Sequence, residues 1–391
     1  MGGPLKKLRV LDLGRYQAGP RCGLMFARMG AEVIKVESIA GDESRKNSPH
    51  VRGQSVYWVQ YNSGKKSLAL NLRSDEGKSI LKGLVKVSDF FLQNFRPGTI
   101  EKMGFGYEEL NKINPKIIMI NVSAYGSDTY LKDRVGFDPI GQALAGMMMT
   151  NGVSDGPPVR THFPLIDRIT ALHATIGALA ALHEREKSGL GQSINVNLAD
   201  SGFTTNEIPI SAYLSGGQEF EREGNGAGLT NAYKCTDGWV FLAATNRAMF
   251  ERLCDALNKP QWTNDSKYKT RQSRKENSDS LENVLSGWFA KKTKKEAVDH
   301  LSKYSVPCAS INDTSAAARE KYINDSQIMI EVPDAVAGTV WVTGKSIKFS
   351  RTPMEVEGAP LVGQHTDSIL NSILQYDVEK IRKLKESGII G

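Results

Sequence analysis

The sequence predicts an α/β fold: a doubly wound parallel sheet in a large domain, joined to a smaller α+β domain. Two observations predict it. Short apolar runs ended by glycine or polar loops alternate with helical stretches through roughly the first third of the chain, which is the signature of strands buried on both faces by helices. After a Gly-, Asn- and Glu-rich stretch the pattern changes to a hairpin followed by amphipathic helices.

The elements follow in order. Leu8-Arg-Val-Leu-Asp-Leu-Gly14 is an apolar run closed by glycine and predicts a strand; Cys22 to Gly30 predicts a helix with a C-terminal glycine; Ala31 to Glu37 predicts the next strand. That βαβ unit is continued by a strand at 67–72, a helix at 76–87, a strand at 89–94, a helix at 108–113 and a strand at 117–123. The stretch from Ile169 to Glu186 reads as a buried helix, and its low-charge part, Ile169 to His183, is short for a bilayer span. Gly189 to Leu198 is a glycine turn leading into a further strand. Beyond it, Tyr233 to Ala243 predicts a hairpin around Asp237-Gly238, with helices at 247–257, 281–291 and 294–304. The resulting organisation is 1–214 as the N-terminal part of the large domain, 215–232 as a linker, 233–325 as the small α+β domain, and 326–391 as a linker and C-terminal segment returning to the large domain.

Composition narrows the function. The chain has 391 residues, 40% hydrophobic and 24% charged, with a net charge of +7. The basic residues are scattered and lack aromatic interleaving, so a phosphate-bearing small molecule is expected rather than nucleic acid. No leader or membrane partner is expected from the N-terminus, MGGPLKKLRV, and the protein is expected in the cytoplasm. Cys22, Cys235, Cys254 and Cys308 show neither disulfide nor zinc spacing, and reduced thiols are expected.

In a doubly wound sheet, ligands bind beyond the carboxyl ends of the strands. Those ends carry Gly14-Arg-Tyr-Gln-Ala-Gly-Pro-Arg21, Asn71-Leu-Arg73, Asn94-Phe-Arg-Pro-Gly98 and Ala124-Tyr-Gly126, and three of the loops carry an arginine. There is no GxGxxG and no P-loop, which disfavours a dinucleotide dehydrogenase or an NTPase. A separate question is posed by Asp167, a carboxylate at the mouth of the apolar helix; helix capping is the plain explanation.

Taken together, Gln17-Ala-Gly-Pro20, Gly30-Ala-Glu-Val-Ile-Lys-Val-Glu37, Asn62-Ser-Gly-Lys-Lys-Ser67, Asn94-Phe-Arg-Pro-Gly98, Met103-Gly-Phe-Gly106, Gly136-Phe-Asp-Pro139, Gly189-Leu-Gly-Gln192 and Gly363-Gln-His-Thr366 closely resemble the class III CoA-transferases, over essentially the whole chain. The resemblance implies a Rossmann-like large domain, an interlocked homodimer, and coenzyme A or acyl-CoA as substrate with no tightly bound cofactor. It also implies that Asp167 is the covalent nucleophile, with Gln17 beside the thioester. By the same resemblance Gln17, Ala18, Ser38, Leu70, Asn71, Leu72, Arg73, Asn94, Phe95, Arg96, Lys102, Val135, Gly136, Phe137 and Asp138 contact CoA. The chain departs from the family at Ser38 and Lys102, where arginine is common, with Arg45 or Lys46 as replacements for the former, and at Phe137, where tyrosine occurs. A glycine-rich loop is missing near Ala243 to Arg247, which argues against oxalate. The alternatives are a racemase-like proton transfer, which Phe137 in a position held by histidine disfavours, and a non-catalytic CoA-binding protein.

Overall fold

The computed structural model describes residues 2–225 and 229–391. Residues 226–228, inside the stretch read as a linker, lie outside the described residues. The chain divides into two compact units: Met1–Met147, Arg160–Gln218 and Tyr322–Gly391 form one, and Met148–Val159 with Glu219–Lys321 form the other.

The first unit is built on six strands: β1 (Arg9–Asp12), β2 (Glu32–Glu37), β3 (Lys66–Ala69), β4 (Phe90–Gln93), β5 (Ile118–Ser123) and β6 (Ser193–Asn197). They are all parallel and lie in the order β3-β2-β1-β4-β5-β6. Successive residues of each strand face opposite sides, and both sides are covered. Leu11, Ile34, Leu68, Phe91 and Met119 pack on one side with Ile80, Leu81 and Leu84 of α3 (Asp75–Val85); α1 (Ala18–Arg28) and α2 (Val56–Asn62) precede that helix in the chain. Val10, Val33, Phe90, Ile118 and Ile120 pack on the other side with Cys22 and Phe26 of α1. The predicted doubly wound α/β sheet is thus present. Full burial of an aromatic such as Phe90 or Phe91 contributes about 1.5–3 kcal/mol each.

Chain order reverses between β1 and β4: from β1 the chain runs outward through β2 and β3, then returns to β4 on the other side. That switch point opens a crevice at the carboxyl ends of these two strands. The loops that border it are Leu13–Gln17 and Asn94–Gly98.

Two further helices complete the frame, α4 (Tyr107–Ile113) and α5 (Asp138–Leu144), before the long α6 (Leu165–Ser188). α6 starts four residues before the predicted Ile169, so that Asp167 falls inside its first turn. At 24 residues it is, against the sequence-based reading of Ile169 to His183, long and apolar enough to cross a membrane by length and composition. In this fold Ala171, Ala174, Ala178 and Ala181 form a small-residue stripe buried with the strand residues Phe90, Ile118 and Ile120, the place of a core helix. Its other side leaves Leu172 and Ile176 exposed, Ile176 to 64%.

A hairpin missed in the sequence, Met329–Asp334 paired with Gly338–Thr343, packs its Val332, Val340 and Val342 on Trp58 and Val59 of α2. Its alternation of apolar and polar residues is a visible signal, and Pro333 is the residue that weakens it, since proline is uncommon inside a strand. The last two helices, Thr366–Leu374 and Val378–Glu386, bury Ile369, Leu370, Ile381 and Leu384 in the same layer as α3.

The second unit holds a three-stranded antiparallel sheet. Gly238–Ala243 is central, flanked by Thr230–Cys235 and Cys308–Ile311. The hairpin opens at Thr230, earlier than the predicted Tyr233, and helices Arg247–Ala256, Ser278–Phe289 and Lys294–Lys303 bury Phe250, Leu285, Phe289 and Leu301 with it.

Candidate active site

The loop after β1 is held at both backbone groups of Gly14 and of Arg15. Asp12 Oδ1 accepts from the Gly14 N–H at 2.8 Å, and the Lys35 ammonium donates to the Gly14 carbonyl. The Asn94 side chain brackets the next residue, accepting from the Arg15 N–H at 2.7 Å and donating to its carbonyl at 2.8 Å. Both lysines beneath the loop are buried and paired: Lys65 with Asp12 at 2.7 Å, Lys35 with Asp42 at 2.7 Å. Lys65 also donates to the Pro20 carbonyl in the first turn of α1 at 2.8 Å. Buried pairs of this kind are costly to break, since a lone charge would remain. Gly23 lets α1 lie on the pair: a Cβ there would stand 2.4 Å from Asp12 Oδ2.

This framework delivers Gln17 at the N-cap of α1. Its side chain makes no capping bond; the Nε2 group is buried and has no hydrogen-bond partner among the described residues. An orphaned buried donor is uncommon and calls for an explanation.

Asp167 comes from the opposite direction, on the first turn of α6. The N-cap position is Pro164, which offers no side-chain cap, and Asp167 does not supply one. Asp138 does: its Oδ2 accepts from the Asp167 N–H at 3.0 Å, while Oδ1 accepts from Gln142 Nε2 at 2.5 Å. Gln142 in turn accepts from the Thr161 N–H at 2.9 Å, tying α5 to the approach of α6. The Asp167 carboxylate itself has no hydrogen-bond partner among the described residues. Burial, then the neighbouring Asp138 charge, raises its pKa to about 7. The amide dipoles of the first turn of α6 oppose that rise.

Gln17 and Asp167 line one cavity of about 510 Å³, together with Ala18, Tyr57, Asn94, Phe95, Arg96 and the Val135 to Phe137 segment. A second cavity of about 810 Å³ is lined by Ser38 and by Leu70, Asn71, Leu72 and Arg73. Arg15 and Phe95 line both, so the two are adjoining halves of one extended crevice at the switch point. Two of the sequence-predicted contacts line neither half. Asp138 is only 2% exposed and is engaged under Asp167; Lys102 is exposed beside Met103, which does line the second cavity. Arg45 does not replace the arginine missing at Ser38. Its guanidinium is spent on Glu37, at 2.6 and 2.9 Å, and lies over the Trp58 ring. Lys46 is exposed and lines neither cavity.

Tyr57, on α2, was not anticipated in the sequence. It lines the cavity with Asp167, and burial, then its neighbours Tyr61 and Asp167, raises its hydroxyl pKa. Its position follows from helical spacing, with Trp58 and Val59 facing inward, but nothing local in the sequence ties α2 to the crevice.

A model of CoA-transferase family III matches residues 5–366. The chain belongs to this family. As a family III CoA-transferase it is 35% identical to a succinyl-CoA:glutarate CoA-transferase of Mus musculus, covering 99% of this chain and 90% of that one. It is 34% identical to a succinyl-CoA:D-citramalate CoA-transferase of Chloroflexus aurantiacus (99% and 98% covered). It is 30% identical to a formyl-CoA:oxalate CoA-transferase of Rhodopseudomonas palustris (99% and 97%). Among solved structures, a CaiB/BaiF family protein from Brucella suis superposes with a TM-score of 0.86 at 27% identity, over 95% of this chain and all of that one.

Proposed function

We propose that this family III CoA-transferase moves CoA from an acyl-CoA donor to a carboxylic acid through covalent intermediates on Asp167. The observation that carries the proposal is the Asp167 carboxylate, without a hydrogen-bond partner among the described residues, in a cavity that shares Arg15 and Phe95 with a larger one. Such a crevice suits a ligand with a reactive end and an extended, phosphorylated tail. A carboxylate oxygen of Asp167 attacks the thioester carbon; the C–S bond breaks and CoA thiolate leaves, giving a mixed anhydride. The thiolate then attacks Asp167 Cγ and releases the donor acid, leaving an aspartyl-CoA thioester. The acceptor carboxylate attacks Cγ, expelling thiolate again, and thiolate attack on the acceptor's carbonyl carbon in this second anhydride frees Asp167 and the new acyl-CoA.

Gln17 Nε2 is the donor for the developing oxyanion at the thioester, which gives the orphaned amide its partner. Arg15, Arg73 and Arg96 border the crevice, and among the described residues only Arg15 has a carboxylate near, Glu43 at 3.8 Å. They fit the phosphates of CoA. Among the described residues no histidine lines the cavity that holds Asp167, which counts against a racemase-like proton transfer. The relatives named for succinyl-CoA support a dicarboxylic acid as donor or acceptor. The homodimer belongs to the same proposal: Leu172, Ile176, Ile208 and Leu214 expose apolar surface on the first unit that a second copy would cover.

The test is to mix protein with succinyl-CoA, quench with hydroxylamine or borohydride, and map the product by peptide mass spectrometry. The expected result is a modification on Asp167. Turnover with Asp167 never modified, or turnover retained in Asp167→Ala, would refute covalent catalysis.

A further inference from the structure

Among the described residues nothing grips the Asp167 carboxylate itself, so its position in the cavity is inherited from its backbone. The Asp167 N–H donates to Asp138 Oδ2 at 3.0 Å. What holds Asp138 is Gln142, one helical turn later on the same face of α5 and only 1% exposed. The Gln142 amide has one consistent orientation. Its oxygen faces the Thr161 N–H at 2.9 Å, because a backbone N–H can only donate. The NH2 group is therefore turned to Asp138 Oδ1 at 2.5 Å, with its second hydrogen for Thr161 Oγ1 at 2.9 Å. Thr161 passes its own hydroxyl hydrogen to the Phe163 carbonyl at 3.0 Å. Asp138 thus receives one donor on each oxygen, an arrangement that suits a carboxylate. This turn of α5 is itself closely packed: a Cβ at Gly202, in the helix Leu198–Thr205, would stand 3.0 Å from the Gly141 carbonyl.

Resting on the CoA-transfer reading above, we infer that Gln142 is a positioning residue for the reaction: it fixes the Asp138 carboxylate as the cap of α6, and that cap fixes the backbone from which Asp167 reaches the thioester. Gln142 lines neither half of the crevice, so it acts through Asp138 and not on the substrate. A nucleophile displaced by about 1 Å loses on the order of a hundredfold in rate, and Asp167 has no second anchor to limit such a shift. The charged groups nearby do not duplicate the role of Gln142. Asp200, on the helix Leu198–Thr205 that packs on α5, is turned to Asn197 at 2.6 Å, while Arg160 and His162, on either side of Thr161, are exposed.

The experiment is a double-mutant cycle in transfer kinetics with succinyl-CoA as donor and glutarate as acceptor, using wild type, Gln142→Leu, Asp138→Asn and the double variant. Trapping at Asp167 is followed in the same samples. Gln142→Leu should lower kcat tenfold to a hundredfold, the scale of one lost charge-assisted hydrogen bond, while the KM for the CoA ester holds. The double variant should be no slower than Asp138→Asn alone, because residues that act as one unit are not additive. Additive losses, an unchanged kcat in Gln142→Leu, or a loss confined to KM overturns the inference. Gln142→Glu decides the case in which the leucine variant does not fold. It keeps an oxygen for the Thr161 N–H and sets a second carboxyl against Asp138. That carboxyl stands in for the amide donor while protonated and repels Asp138 once the proton is lost. Its activity relative to wild type should therefore fall by about tenfold or more between about pH 6 and 9. A ratio that is flat with pH overturns the inference as well. Trapping at Asp167 with additive losses defeats this assignment alone; turnover without trapping defeats the covalent reading beneath it.

Discussion

Replacing Asp167 by asparagine removes the charge that burial and Asp138 disfavour, and the structure fixes how stability should respond. In the folded protein the carboxyl pKa stands at about 7, against an ordinary value of 3.8. The folded state therefore holds a proton that the unfolded chain has already released, and over that interval stability falls as pH rises. The favourable contribution of the neutral acid is complete below the unfolded value and is lost as pH climbs through the folded one. Three units correspond to about 4 kcal/mol at full effect, and the α6 dipole reduces this to about 2–4 kcal/mol. Between about pH 5.5 and 8.5 the difference between variant and wild-type protein should widen by about 2 kcal/mol. The assay is urea unfolding of both proteins at one fixed concentration across that range. Asp167→Asn should gain stability on wild type steadily toward alkaline pH while losing transfer activity. A difference that is flat with pH, or that favours the wild type at about pH 8.5, would refute the idea that this carboxylate is held against its own ionisation.

Three further outcomes follow from the geometry. Gln17→Ala should lower kcat by about a hundredfold or more, the usual scale for an oxyanion donor, with little change in the KM of the CoA ester; steady-state kinetics decide it. The proposed mechanism requires an ionised Asp167, so activity should rise as pH increases through about 7, and Asp138→Asn, which removes the like charge, should move that rise to lower pH; a pH profile that stays in place argues against the coupling. Gly23→Ala, with its methyl carbon 2.4 Å from Asp12 Oδ2, should destabilise the fold by about 1–3 kcal/mol by displacing the buried pair, and calorimetry showing no loss would mean α1 shifts freely.

Much of this was legible in the residues, and for identifiable reasons. The inner strands β1, β4 and β5 are largely buried and so read as apolar runs, and the loops at the carboxyl ends of the sheet carry Gln17, Asn94 and Arg73 in plain view. Asp167 could be singled out because a carboxylate opens an apolar helix, but its surroundings could not. The groups that govern it, Asp138 and Tyr57, lie 29 and 110 positions away in the chain and meet it only through α5 and α2. Asp138 carried the family pattern for a ligand contact while its position makes it a cap for another helix. The burial of Lys35 and Lys65 was not legible, since a sequence shows a lysine without showing the aspartate it is buried against.

The contact between Gly23 and the Asp12 carboxylate also restricts how this protein can change over evolutionary time. A side chain at 23 is excluded only while Asp12 and Lys65 remain ionic partners beneath it, and either member of that pair is hard to lose alone, because the other would be stranded. The three positions therefore constitute a single inherited unit. Drift at any one of them is blocked from the starting point, and a descendant that escaped would have to exchange the pair for apolar residues first and acquire a larger residue at 23 afterwards. In a collection of descendants, a larger residue at 23 should be found only where positions 12 and 65 have both changed already.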